Sequence, residues 1–121
     1  MKMMNQTTTI NAYAAKEAGR SLEPFTYEVG ELQPNEVEID VLYCGLCHSD
    51  LSMVGNEWGM SEYPLVGGHE IIGKISSVGA NIEHLEIGCN VGLGWHCGYC
   101  WDCEFCHSGD EILCVTAECT S

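Results

Sequence analysis

The chain has 121 residues, 45% of them hydrophobic, which is room for one small domain and excludes a two-domain nucleotide-dependent enzyme within this length. Asp and Glu number 18 against 4 Lys and Arg, a formal net charge of −14. Such a surface repels phosphate backbones and anionic membrane faces, so nucleic acid and membrane are excluded as expected partners.

The bases are segregated. Lys2, Lys16 and Arg20 precede residue 21, and beyond them only Lys74 is basic. Met1 to Lys16 lacks the apolar stretch of a cleavable export signal. No run approaches the roughly 18 apolar residues that a membrane span needs. The expected compartment is therefore the cytoplasm, where thiols stay reduced. There, the chain's 9 cysteines point to zinc in preference to disulfides.

From Ile10 to about Leu93, short β-prone runs are broken by Gly, Pro and Asn. Ile10 to Lys16 reads as a first strand and Phe25 to Val29 as a second, with a turn at Gln33-Pro34-Asn35. Val37, Ile39 and Val41 then alternate with Glu38, Asp40 and Leu42, the period of a strand with one side buried. Leu46 to Val54 suits one or two helical turns ended by Gly55. Glu70 to Ser77 and Asn90 to Leu93 read as further strands, separated by Asn81 to Gly88. The expected body is mainly β and barrel-like, with one short helix. There is no internal repeat. Gly92-Leu93-Gly94 is not a dinucleotide-binding fingerprint, since it leads into cysteines and not into a helix.

Composition changes at Trp95. The lobe that follows, residues 95–115, has almost no aliphatic run and cannot bury a core of its own. Cys100, Cys103, Cys106 and Cys114 stand at C-x2-C-x2-C-x7-C. Two-residue gaps let thiolates converge about 2.3 Å from a zinc ion, and the longer gap lets the chain return with the fourth. Four thiolates close the coordination sphere, so this is a structural site whose binding energy replaces the missing core. Cys97 also lies two residues before Cys100, so a register of Cys97, Cys100, Cys103 and Cys114 remains open. An iron–sulfur cluster suits four thiolates equally, and a visible charge-transfer band would distinguish it.

Two further segments carry ligand-type side chains: Cys44-Gly45-Leu46-Cys47-His48-Ser49-Asp50 and Gly67-Gly68-His69-Glu70. Alone, each is as compatible with a small buried cysteine or an ordinary surface His-Glu pair. His69-Glu70 also opens like the H-E-x-x-H zinc-protease motif, but position 73 is Gly73, which ends that reading.

Taken together, these motifs resemble the zinc-dependent alcohol dehydrogenases of the medium-chain dehydrogenase/reductase superfamily. Gly68-His69-Glu70-Ile71-Ile72-Gly73, then Gly79 and Ile82, is similar to that family's zinc signature. Tyr43 to Leu51 resembles the cinnamyl-alcohol-dehydrogenase branch. With Asn56-Glu57-Trp58-Gly59 and Tyr63-Pro64-Leu65-Val66, the chain is most similar to NADPH-dependent aldehyde reductases. The likeness runs from about Tyr13 to Cys114.

The resemblance implies an incomplete GroES-like barrel carrying a zinc lobe. It implies Cys47 and His69 as ligands of a catalytic zinc and Cys100, Cys103, Cys106 and Cys114 as ligands of a structural one. Asp50 would bond the second nitrogen of His69, and Glu70 would lie behind the metal and enter its coordination during ligand exchange. Ser49 would pass the alcohol proton, His48 would sit near the phosphates of NADP(H) or NAD(H), and Trp58 would line the pocket for a small aldehyde or alcohol. Ser52 stands where many relatives place a relay histidine. Relatives take a third catalytic cysteine from far downstream, followed by a Rossmann domain. Cys119 is badly placed to substitute for that ligand.

Residues 1–121 are thus expected to be the N-terminal part of such a catalytic domain, roughly a third of the family length, without the cofactor domain. The chain alone is expected to be inactive, with exposed barrel edges and a possible homo-oligomeric state. The other expectation is a stand-alone structural zinc module that mediates protein contacts.

Overall fold

A computed structural model describes residues 7–121. Lys2, and the first six residues of the segment read as lacking an export signal, lie outside the described residues.

The N-terminal strands form a hairpin. β1 (Thr8–Ala14) runs antiparallel to β2 (Glu23–Val29), from Thr8 opposite Val29 to Ala14 opposite Glu23. The sequence reading carried the first strand to Lys16. It stops at Ala14 because Ala15 leaves the ladder to exchange backbone hydrogen bonds with Leu65, at 2.9 and 2.8 Å. Ala14, Ala15 and Leu65 are all buried there.

β3 (Val37–Cys44), β4 (Ile71–Val78) and β5 (Asn90–Leu93) form the main sheet, antiparallel and in that order. Half-buried Val37 and Ile39 alternate with exposed Glu38 and Asp40, as the sequence period requires. The alternation fails beyond Asp40. The register slips between Val41 and Tyr43, and Val41, Leu42 and Tyr43 are all exposed.

Between β3 and β4 lies α1 (His48–Gly55). It begins after the expected Leu46 because Cys47 holds an extended conformation, φ −114° and ψ 152°, as the residue that caps the helix. The Cys47 amide donates to Asp50 Oδ2 at 2.9 Å, which satisfies a first-turn donor. At the other end, Asn56 takes the left-handed conformation at φ 54°. Ser61 Oγ and Tyr63 Oη donate to the carbonyls of Met53 and Val54, at 2.6 and 2.8 Å. Met53 on this helix, Ile75 on β4 and Leu65 are the larger apolar side chains of a small core.

The body has the one short helix expected of it, and the lobe adds elements that the sequence reading did not assign. It contains β6 (His96–Gly98), α2 (Glu104–Ser108), a 3-10 turn at Glu111–Leu113 and β7 (Glu118–Cys119). β6 pairs antiparallel with β7, which brings Glu118 and Cys119 back beside the start of the lobe. These elements are fixed by the return of the chain on its own cysteines, which hydrophobic period does not encode. Among the described residues the three sheets do not share strands, in keeping with an incomplete β architecture, and no helix is long and apolar enough to cross a membrane.

Candidate metal centres

The lobe gathers the sulfurs of Cys100, Cys103, Cys106 and Cys114 within 4.8 Å of one another. Cys100 and Cys106 are 3.8 Å apart, Cys103 and Cys106 3.5 Å, and Cys114 and Cys100 3.5 Å. Four sulfurs each about 2.3 Å from one ion would be spaced at about 3.8 Å, so the donor set fits a tetrahedral metal. The backbone prepares it. Trp101 adopts φ 59°, which turns the chain so that the amides of Asp102 and Cys103 donate to Cys100 Sγ at 3.4 and 3.3 Å.

Those backbone amides hold the Cys100 thiol below its ordinary range, and Cys114 is held down to about 6, chiefly by a backbone hydrogen bond at Cys100. Cys106 is pushed up to about 12 by burial and by the neighbouring Cys103 thiol. Cys97 faces elsewhere. Its sulfur approaches the carbonyls of Cys119 and Glu118 at 3.4 and 3.6 Å, and burial pushes its pKa up. Of the two registers left open by spacing, the one through Cys106 is the one that converges.

The second cluster joins Cys47, His69 and Glu70, whose ligand atoms also lie within 4.8 Å of one another. Cys47 caps α1, while His69 and Glu70 immediately precede β4. Gly45 N–H donates to the Glu70 carbonyl at 2.9 Å, tying the two loops together. A Cβ on Gly45 would collide with the Glu70 carboxylate. Gly68 sits at φ +115°, and a Cβ there would stand 2.8 Å from Cys44 Sγ. Gly68, with its positive φ, is therefore required for the loops to close this tightly, and a side chain at Gly45 would displace the Glu70 carboxylate from the cluster.

Hydrogen bonds from the Ser49 hydroxyl and amide, with His69 nearby, hold the Cys47 thiol below its ordinary range. His69 is 7% exposed, and its Nδ1 lies 3.2 Å from Asp50 Oδ1. The separation is that of an ion pair, yet neither buried atom has a partner in hydrogen-bond alignment. A cation at the opposite ring nitrogen would place the ring proton on Nδ1, toward Asp50, and satisfy both atoms. The residues present thus fit a metal, with a thiolate, an imidazole and a carboxylate as donors.

Of the other candidates, Ser49 lies beside Cys47, and His48 is exposed at the start of α1, outside the ligand cluster. Trp58 is 50% exposed, its ring edge-to-face with Trp95 at 5.9 Å. Ser52 is buried and donates to Glu57 Oε2 at 2.8 Å. The sequence reading noted Trp95 only as a change of composition. Its ring packs edge-to-face on His69, with centroids 4.7 Å apart at 82°. The available signal was a tryptophan directly after Gly92-Leu93-Gly94, where the chain leaves β5.

Comparison with known proteins gives a consistent answer. The alcohol dehydrogenase GroES-like domain matches residues 33–120. An aldehyde reductase, AdhA, from Synechocystis sp. (strain ATCC 27184 / PCC 6803 / Kazusa) is 59% identical over 111 residues, covering 92% of this chain and 33% of that protein. A crystal structure of CAD from Helicobacter pylori complexed with NADP(H) superposes with a TM-score of 0.88 at 32% identity, covering 97% of this chain and 33% of that one. A thermostable alcohol dehydrogenase from Pyrobaculum aerophilum, solved with cobalt and zinc bound, superposes at 0.77 and 25% identity, over 90% of this chain and 33% of that one. The chain spans about a third of the length of the relatives it matches.

Proposed function

This chain belongs to the alcohol dehydrogenase GroES-like domain family, and from that premise we propose that it supplies the metal-holding part of a site that interconverts aldehydes and alcohols. The observation that carries the reading is the meeting of Cys47, His69 and Glu70 in one cluster beside a separate four-sulfur cluster. One is open, with three donors of mixed kind, and the other is closed by four like donors, the difference expected between catalytic and structural zinc. In relatives of this kind, zinc supplies Lewis-acid polarisation of a carbonyl oxygen, and NADP(H) or NAD(H) supplies or accepts the hydride.

The chain's own residues prepare that chemistry. Cys47 and His69 would hold the metal, and Asp50 would then take the proton of His69 on Nδ1. Glu70 is exposed and would offer a third, carboxylate donor. Ser49 carries the substrate proton on its hydroxyl, beside Cys47. Trp58 would line the pocket for the organic part of the aldehyde, and His48 would sit near the cofactor's phosphates. The compartment we assign is the cytoplasm, where the thiols remain reduced.

All strand pairs among the described residues are antiparallel, and none builds the parallel sheet that would seat a dinucleotide. The 121-residue chain by itself is therefore proposed to carry out no NADPH-dependent reduction. Zinc counting tests the reading. The wild-type chain should take up one tight and one weaker ion, and Cys47→Ser or His69→Ala should abolish only the weaker. Uptake confined to the lobe in all three proteins would overturn it, and NADPH oxidation by this chain alone would overturn the assignment of inactivity.

A further inference from the structure

Trp95 is the point at which the two candidate centres meet. On one side, its ring packs edge-to-face on His69 at 4.7 Å and against Trp58 at 5.9 Å. On the other, its backbone belongs to the lobe. The Trp95 carbonyl accepts the Thr120 amide at 2.9 Å, and the Gly94 carbonyl accepts the Thr120 hydroxyl at 2.7 Å. The next residue, His96, pairs with Cys119 where β6 meets β7. Thr120 thus holds two successive carbonyls, so the path of the chain at Trp95 depends on β7 lying against β6.

Beyond an edge-to-face aromatic run from His96 through Tyr99 to Trp101, the lobe has little else to hold it. Among the residues from Trp95 onward, only Cys114 is buried, and it is one of the four clustered thiols. Ile112, Leu113 and Val115 are all exposed. Order in β6 and β7 therefore rests on the convergence of the cysteines, and a filled cluster supplies it. His69 has the complementary need. Asp50 approaches Nδ1 at 3.2 Å without alignment, so the plane of the imidazole is set by what packs on it, and Trp95 is the aromatic ring that does so.

Building on the proposed second metal centre, we propose that Trp95 is a positioning residue that couples the two clusters. A loaded lobe fixes Trp95, Trp95 fixes the imidazole of His69, and metal binds more tightly at Cys47 and His69 as a result. The coupling is reciprocal, because an ordered His69 in turn favours the lobe conformation that seats the indole. An edge-to-face aromatic pair of this kind corresponds to about a threefold to tenfold change in affinity.

The test uses the full 121-residue chain with cobalt(II) as the probe, zinc being first bound in the lobe. Trp95→Leu should weaken cobalt binding at the Cys47/His69 centre about threefold to tenfold and shift its visible ligand-field band. Trp95→Phe should restore most of both. The double variant Cys103→Ser/Cys106→Ser, which disables the lobe, should show the same loss, and adding Trp95→Leu to it should cause no further loss. Thr120→Val, which removes only the hydroxyl hold on Gly94, should weaken binding in the same direction and gives the answer if Trp95→Leu cannot fold.

Unchanged cobalt affinity and spectrum in Trp95→Leu, or losses from the lobe and from Trp95 that simply add, would overturn the coupling while leaving the second centre standing. If Trp95→Leu does not fold, unchanged binding in Thr120→Val overturns it. A wild-type chain that takes no cobalt beyond the lobe overturns the second centre, and the coupling with it.

Discussion

Asp50 sets its carboxylate between His69 and the start of α1. One oxygen accepts the Cys47 amide at the start of α1, and the other stands 3.2 Å from His69 Nδ1. The start of the helix, and with it the cysteine that would share a metal with the imidazole, is therefore held by the same carboxylate that stands beside that ring. Asp50→Asn keeps an oxygen for the amide and removes the charge beside the ring. Metal affinity at Cys47/His69 should fall about 10- to 100-fold, with little change at the lobe. Competitive zinc titration against a chromophoric chelator measures both. Asp50→Ala should also lose the helix contact, lowering stability by about 1–2 kcal/mol in urea unfolding.

The thiol of Cys47 is held below its ordinary range chiefly by the Ser49 hydroxyl. A lowered pKa means that thiolate persists to lower pH, and protons displace it only as pH falls through that lowered value. In the metal-free chain, Cys47 should accordingly alkylate with a pH midpoint below that of an ordinary thiol. Ser49→Ala should move the midpoint upward. Iodoacetamide labelling across pH, read at the Cys47 peptide by mass spectrometry, separates it from the other cysteines.

The lobe should release protons when it fills. With Cys114 titrating at about 6 and Cys106 at about 12, metal uptake at pH 8 meets the first as thiolate and must strip a proton from the second. Calorimetry in buffers of different ionisation enthalpy should detect at least that proton. Removing the metal with a chelator should lower the melting temperature and abolish protection of β6 and β7 from hydrogen exchange. Cys103→Ser should do the same without chelator.

Two strains coincide at Gly68. Replacement by alanine places a Cβ 2.8 Å from Cys44 Sγ and also forces a side chain to occupy φ +115°. Gly68→Ala should lose about 1–3 kcal/mol in urea unfolding. The double variant Cys44→Ala/Gly68→Ala relieves the collision but not the backbone, so it should recover only part of the loss.

Much of this arrangement could be read from the residues alone. β5 was expected at Asn90 to Leu93 and lies there, and β3 was recognisable from Val37 and Ile39, because one-sided burial leaves a period in the chain. The helix start was misplaced, since the choice between Leu46 and His48 depends on Cys47 being extended, a backbone matter that Asp50 settles from three residues away. β6, α2 and β7 left no hydrophobic trace because sulfur convergence, and not burial, sets them. The clusters at Cys100 to Cys114 and at Cys47/His69/Glu70 followed the motifs, whereas Trp95 escaped notice because its contact with His69 arises only when β5 brings the lobe across the sheet.

The register slip in β3 also bears on how this chain behaves in concentrated solution. Val41, Leu42 and Tyr43 lie uncovered on a strand at the border of the main sheet, with backbone groups free to pair with another copy. A formal charge of −14 opposes such encounters. That opposition reaches only about 8 Å at physiological ionic strength and about 3 Å in molar salt. Dilute buffer should keep copies apart, and concentrated salt should promote clumping through this border strand, the reverse of the usual practice of adding salt to keep proteins dispersed.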